Sequence, residues 1–215
     1  MPAQPVNAEG RERLVRDTID EEWRQFQATT NEGGRAACQN NRPMFTLMRA
    51  SQFAPWPDAL VRDWLDDLRA ADAEGRNLVT EKYARMMAST DPETYRRDLE
   101  PFLPALDGER VALQERVIAT QVAWARDFRE RYPHLGDQMR VLTTDEDTPE
   151  ATSFETYLRG ELGTYSARTM RDYADFVDGL AREGRNLTAE TVGATMRALG
   201  HDTLEEAERA QALQE

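Results

Sequence analysis

Glu74-Gly75-Arg76-Asn77-Leu78 returns, residue for residue, as Glu183-Gly184-Arg185-Asn186-Leu187, an offset of 109 positions. The match runs well beyond this string. At the same offset Phe45 falls on Phe154, Arg62-Asp63 on Arg171-Asp172, Asp66 on Asp175, Glu81 on Glu190 and Met87 on Met196. Trp56 falls on Tyr165, and Trp64 on Tyr173. Residues 45–94 carry 12 identities in 50 ungapped positions, several times the chance level. Self-similarity on this scale decides the architecture before any local reading. The first helices, ending in Trp23…Phe26 and Trp124…Phe128, join the correspondence if the loops that follow differ in length. The fold class read from this is all-α: a tandem duplication of a four-helix unit, packed with approximate two-fold pseudo-symmetry. Residues 1–10 read as a flexible N-terminus, 11–105 as the first helical repeat and 106–212 as the second, together one compact domain. Pockets favour such junctions, so a site is expected between the repeats.

Helical periodicity fills in the units. Segment 11–29 carries Val15, Ile19, Glu22, Trp23 and Phe26 at helical spacing. Phe45, Met48, Gln52 and Trp56 mark a second helix, ending near Pro55 and Pro57. Segment 58–73 is a third, with Asp58 as N-cap candidate and Gly75 as the left-handed residue that stops it. Thr80 is the expected cap of a fourth over 81–89, with a short helix over 92–98. A Pro-bearing link, 99–108, leads to a long helix over 109–132 that Tyr132-Pro133 ends. Residues 134–152 read as irregular, with Thr143 to Pro149 the expected mobile loop. Helices near 153–163, 166–182, 189–199 and 203–212 complete the chain. No strand-like alternation is present.

Composition narrows the function classes. The net charge is −13 and the pI about 4.7, with 31 % charged and 40 % apolar residues. Such a surface repels phosphate backbones and removes the main driving term of nucleic-acid binding. Cys38 is the only cysteine, so no internal disulfide forms, which fits a reducing compartment. The start, MPAQPVNAEG, has no basic region and no apolar run, so no signal peptide is expected. No stretch approaches the roughly 20 apolar residues of a membrane span. The expected location is cytoplasmic. Of 27 basic residues, 26 are arginine and one is lysine, Lys82. A lysine that survives alone in an arginine-biased chain marks a place where arginine will not serve.

The strings Gly33-Gly34-Arg35-Ala36-Ala37-Cys38-Gln39, Ser51-Gln52-Phe53, Glu74 through Met87 (EGRNLVTEKYARMM) and Ser153 through Leu162 (SFETYLRGEL) resemble an uncharacterised bacterial family. It is the domain-of-unknown-function family 4125. The resemblance covers nearly the whole chain. It implies a bacterial, cytosolic protein and brings no reaction and no residue roles.

Residues found in both copies serve first what both copies share. Arg76-Asn77 and Arg185-Asn186 are expected to bond free helix-end carbonyls. Polar residues found in one copy are more telling. Lys82, Tyr83 and Arg85 face Thr191, Val192 and Ala194 at the 109 offset. A lysine can lose its proton in a desolvated pocket and act as base or imine former, or hold one oxyanion as a compact charge. The plainer alternative is a solvated lysine paired with a neighbouring acid. Phe45, Met48, Arg49, Gln52, Phe53 and Trp56 form one stripe, and Phe154, Tyr157, Leu158, Glu161, Leu162 and Tyr165 its copy. Arg49, Gln52 and Glu161 interrupt faces that should be apolar, at a cost unless they are paired. They read as an Arg49–Glu161 ion pair, as a polar pocket with Glu161 as acid or base beside Tyr157, or as both.

Other chemistries find less support. Cys38 follows Arg35, yet only His134 and His201 exist as partners, and an inert buried thiol is expected. Two histidines and no Glu-x-x-His string argue against a di-iron bundle. Asp63, Asp66 and Asp67 resemble half of a diphosphate–magnesium cluster, but Asp172 and Asp175 repeat the pattern, which favours a solvated helix face. Arg129…His134 has a helical-ribonuclease spacing that Pro133 interrupts. Gly-rich phosphate loops, serine elbows and dinucleotide fingerprints are missing.

The sequence therefore predicts an enzyme or binder, free of metal and cofactor, for a small polar metabolite bearing an anionic group. Lys82 is the candidate base or anion anchor, with Glu161 and Tyr157 as acid–base partners. Arg35, Arg49, Gln52, Tyr83, Arg85 and Arg159 are the candidate ligand-binding residues. Neither nucleic acid nor membrane is an expected partner, and a homodimer is compatible with the reading. The alternative is a non-catalytic helical interaction scaffold. A concave cleft lined by Lys82, Arg49 and Glu161 favours the first; filled contact between the halves and an exposed apolar groove favour the second.

Overall fold

Most of the longer helices begin where a side chain can take the place of a missing backbone acceptor. Asn41, Asn77, Asp107, Ser153, Ser166, Asn186 and Thr203 each accept a backbone N–H of the first turn they precede. The computed structural model describes residues 8–30, 34–148 and 151–213. Its helices are α1 (Ala8–Ala28), α2 (Arg42–Phe53), α3 (Asp58–Ala73), α4 (Leu78–Thr90), α5 (Pro92–Thr94), α6 (Gly108–Arg131), α7 (Pro133–Asp137), α8 (Phe154–Leu162), α9 (Ala167–Arg182), α10 (Leu187–Ala198) and α11 (Leu204–Ala212). The fold is all-helical, and no strand occurs among the described residues. No described helix is long and apolar enough to cross a membrane.

α3 and α9 start and stop 109 residues apart, and so do the ends of α2 and α8 and the starts of α4 and α10. The repeated string builds the same turn twice. Gly75 and Gly184 take φ values of 73° and 67°, the left-handed region that spares a helix end from a Cβ clash. Arg76 and Arg185 donate backbone N–H to Ala71 and Leu180 at 2.8 and 2.9 Å. Their guanidiniums hold Glu81 and Glu190 at 2.8 and 2.7 Å, not helix-end carbonyls. Asn77 and Asn186 cap the next helix with one end and reach across to Gln25 and Trp124 carbonyls with the other. The cap of α4 is thus Asn77 rather than Thr80. Asp58 lies inside the first turn of α3, where it pairs with Arg11.

α1 and α6 share a different offset. Arg11 donates to the Phe53 carbonyl and Arg110 to the Leu162 carbonyl. Trp64 donates to Glu22, and Tyr173 to Gln121. Together with Gln25 and Trp124, these bonds set 99 residues as the spacing of the two long helices. The order of packing is crossed: α4 lies on α8, α10 lies on α2, and α3 meets α9. One apolar core draws on both halves, from Ile19, Phe53, Val61 and Leu68 to Leu162, Met170, Val177 and Leu187. Where the halves meet, the tilted rings of Trp64 and Tyr165 pack with centroids 4.8 Å apart, and those of Trp56 and Tyr173 5.2 Å apart.

Several sequence expectations change here. Residues 8–10 are helical, and 1–7 lie outside the described residues. Residues 134–152 hold a short helix, α7, and the expected mobile loop is tied down: Asp147 accepts from Ser89, Thr156 and the Ser153 N–H. Pro149 of that segment is outside the described residues. Cys38 is exposed rather than buried, because the turn over Ala37–Asn40 turns Gln39 inward to the Phe26 and Thr29 carbonyls. Asp63 is not on a solvated face; it is 4 % exposed at the α3–α9 seam, paired with Arg168 at 2.6 Å.

Candidate functional site

Gly160 sets the site's geometry. A Cβ there would lie 2.8 Å from the Lys82 carbonyl and 2.8 Å from Met86 Cγ. Its absence lets α4 press onto α8 and carries Lys82 in to the second half's Glu161. The ammonium donates to Glu161 Oε2 at 2.5 Å and sits 3.5 Å from the centre of the Tyr157 ring. Lys82 is only 8 % exposed, and Glu161 4 %.

From the other side α2 brings Arg49, whose guanidinium lies 3.7 Å from Glu161 and holds Glu22 of α1 with both Nε and Nη2. Glu22 also accepts the Trp64 indole N–H at 2.7 Å. Gln52 accepts from Arg49 and donates to Glu161 at 2.7 Å, and the Tyr165 hydroxyl donates to Glu161 at 3.3 Å. Two cations and two carboxylates are therefore buried as one balanced network. Breaking such a set costs far more than the intact set contributes, because the abandoned charge stays buried.

Glu22, Arg49, Trp64, Lys82, Tyr157 and Glu161 line a cavity of about 50 Å³, together with Phe26, Phe45, Leu78, Val79 and Tyr83. That is room for a few waters or a small head group. Burial would lower the Lys82 pKa, but the charge of Glu161 outweighs it and the pKa is raised, so the ammonium keeps its proton. Burial would raise the Glu161 pKa; Lys82 and Arg49 outweigh it and bring it down to about 2. Burial pushes the Tyr83 phenol up to about 12. At neutral pH the cavity therefore faces the Lys82 ammonium, the Arg49 guanidinium, the Glu161 carboxylate and the neutral Tyr83 phenol.

Unused hydrogen-bonding capacity in the cluster lies mainly on the donor side. Glu22 and Glu161 each accept three donors, leaving little free lone pair. Lys82 places one of its three donors on protein oxygen, and Arg49 three of its five.

Of the residues singled out from sequence, Lys82, Arg49, Gln52, Tyr83, Tyr157 and Glu161 come together. Three arginines do not. Arg35 is exposed and bonded to Gln27 and Asn40. Arg159 is taken up by Glu115 and Glu155 on the α6 side of α8. Arg85 lies about one turn further along α4, beside Gly163 at the end of α8, and donates to the Pro104 carbonyl instead of entering the cavity. Glu22 and Trp64 were missed as site residues. The signal was present, since Glu22 interrupts the apolar register of segment 11–29 as Arg49 interrupts that of α2. Among the described residues no cluster of three or more His, Cys, Asp or Glu side chains forms a metal set.

The family model described as a protein of unknown function, DUF4125, matches residues 12–209. The chain belongs to the DUF4125 family. The matched span includes every residue of the cavity, so the buried network sits within the DUF4125 domain itself. No curated protein matches the chain, and no solved structure does.

Proposed function

We propose that the cleft around Lys82 binds a small polar metabolite through an anionic or acceptor group, without metal or cofactor. The observation that carries the reading is Lys82 itself: the one lysine of the chain is buried, crosses between the halves to Glu161, and faces a cavity with Arg49. The spare donors of Lys82 and Arg49 receive the ligand's oxygen atoms, and Phe26, Phe45 and Tyr83 flank its apolar part. Because the ammonium is held protonated, Lys82 acts as anchor and electrostatic stabiliser rather than as base. Any proton transfer falls to a group of the ligand or to Tyr83 or Tyr157.

We also propose that the chain is a tandem duplication with an approximate two-fold axis between its halves. In support, residues at matching positions touch: Gln52 donates to Glu161 and Trp56 packs on Tyr165 at 6.4 Å, and Asp63 lies near enough to Asp172 for it to raise the Asp63 pKa. The function belongs to one half-site only, since Thr191, Leu158 and Gln121 replace Lys82, Arg49 and Glu22 in the other. One observation favours the scaffold alternative, namely that the cavity is small and its four charges balance without a ligand.

Calorimetric screening of small carboxylates and phosphorylated metabolites tests the reading, with wild type and Lys82→Arg side by side. A ligand whose affinity falls ten-fold or more in a folded Lys82→Arg protein supports the cleft. Equal binding by both moves the site elsewhere, and no ligand for either favours the scaffold. A surface lysine would tolerate the exchange to arginine with nearly unchanged stability. Burial at 8 % exposure instead adds an overpacking cost of about 1–3 kcal/mol.

A further inference from the structure

Arg85 and Arg110 form a second basic cluster, outside the Lys82 cleft. The two side chains meet at neighbouring residues of the α8 end, Arg110 at Leu162 and Arg85 at Gly163. Arg110 Nη2 donates to the Leu162 carbonyl at 2.5 Å. A Cβ on Gly163 would lie 2.7 Å from Arg85 Cδ and 3.2 Å from its Nε, so the glycine leaves room for that side chain. The remaining protein bonds also go to neutral acceptors: Arg85 to the Pro104 carbonyl, and Arg110 to Gln114 and the Tyr165 carbonyl.

Neither arginine has a carboxylate within ion-pair distance among the described residues. Acids outnumber bases in this chain by 40 to 27, so two adjoining, half-buried, unpaired guanidiniums are costly and unusual. Arg85 Nε is buried with no hydrogen-bond partner at all. Burial lowers both pKa values, and Arg85 lowers that of Arg110 further.

The other half shows what is missing. Arg11 makes the same bond to the Phe53 carbonyl that Arg110 makes to Leu162, but Arg11 also pairs with Asp58. The residue corresponding to Asp58 is Ala167, which is exposed at the start of α9. An internal carboxylate completes one arrangement, and nothing completes the other.

We propose that Arg85 and Arg110 bind a tetrahedral oxyanion, inorganic phosphate or the phosphoryl group of a small metabolite, where Asp58 would stand in the first half. A guanidinium fork donates to two oxygens of such a group, the two arginines are near enough for Arg85 to lower the Arg110 pKa, and the Arg85 Nε–H has no competing acceptor.

Thermal unfolding of the full chain in inorganic phosphate, in glycerol phosphate and in sodium chloride of equal ionic strength tests this. Phosphate at ~100-fold its dissociation constant raises the melting temperature by about 5 °C over chloride. A response to inorganic phosphate alone identifies a free-ion site, and a larger response to the ester a phosphometabolite site; either supports the proposal. Ala167→Asp, at an exposed position, supplies the missing carboxylate, so it should raise the melting temperature in chloride and abolish the phosphate response. Arg110→Gln should abolish the response as well. Melting that is identical in phosphate and chloride overturns the proposal. So does a phosphate response that survives both Ala167→Asp and Arg110→Gln.

Discussion

In one half the Trp64 indole donates to Glu22, Glu22 holds Arg49, and Lys82 reaches across to Glu161. In the corresponding place of the other half the Tyr173 hydroxyl donates to Gln121, Leu158 stands for Arg49 and Thr191 for Lys82. The helices and the hydrogen bond from the third helix to the first are kept, while the charge is not. Leu158 is buried, and Gln121 leaves one buried amide N–H unsatisfied, a minor cost beside four buried ions. The neutral half shows that this fold does not need the charges. That contrast is what the proposed role of Lys82 rests on.

The largest test of that contrast is Lys82→Met. It strands Glu161 beside Arg49 alone and should cost about 3–5 kcal/mol, read by urea unfolding. Lys82→Met combined with Glu161→Gln, the neutral residue found at position 52, should recover most of the loss. If the double variant is as unstable as the single, the network is structural and the contrast between the halves carries no functional meaning.

Gly160 and Ser51 occupy matching positions on α8 and α2. Gly160→Ala forces a methyl into the Lys82 carbonyl and Met86, and should cost about 1–3 kcal/mol in denaturant unfolding. Ser51→Ala adds no atoms and should stay within about 1 kcal/mol. Similar losses for the two would show that the close approach of α4 to α8 is not special to the charged half.

Acid titration separates the cleft from the seam. The Glu161 pKa is depressed to about 2, so its stabilisation is present above its unfolded value of 4.5 and is lost as pH falls toward 2. Asp63 behaves oppositely. Burial and the nearby Asp172 raise its pKa from 3.8 to about 6, so its favourable contribution is complete below 3.8 and is lost as pH rises through 6. Asp63→Asn should therefore flatten the part of the stability–pH curve between pH 4 and 7 and leave the low-pH limb unchanged. A wild-type curve with no slope difference from Asp63→Asn would remove the raised carboxyl. The smallest effect belongs to the shared turn. Arg76→Ala and Arg185→Ala break partly exposed ion pairs and should each cost about 0.2–1 kcal/mol, by equal amounts in the two halves.

What was legible in the sequence follows from what local chemistry encodes. The repeated EGRNL string announced two identical turns because a left-handed glycine and an asparagine cap are local requirements. Arg49, Gln52 and Glu161 stood out because charge in an apolar stripe needs a partner, and the partner proved to be one another and Lys82. Arg35, Arg85 and Arg159 could not be placed by the same logic. A partly polar face gives no sign of which neighbour covers it, and small shifts around a helix separate Arg85 from Lys82. Asp63 was misread for the reverse reason: a repeated carboxylate looks like a solvated face, yet here the repeat is what brings two carboxyls together at the seam.

The crossed packing of α4 on α8 and α10 on α2 also constrains the order of events at the ribosome. Lys82 and Glu161 are 79 residues apart in the chain. At the usual pace of synthesis, roughly 5–20 residues per second, the lysine is made about 4–16 seconds before its carboxylate. The apolar face of α4 has no α8 to cover it during that interval. The N-terminal half therefore cannot complete its own tertiary structure as it emerges, and the ion pair closes only after the segment carrying Glu161 has followed.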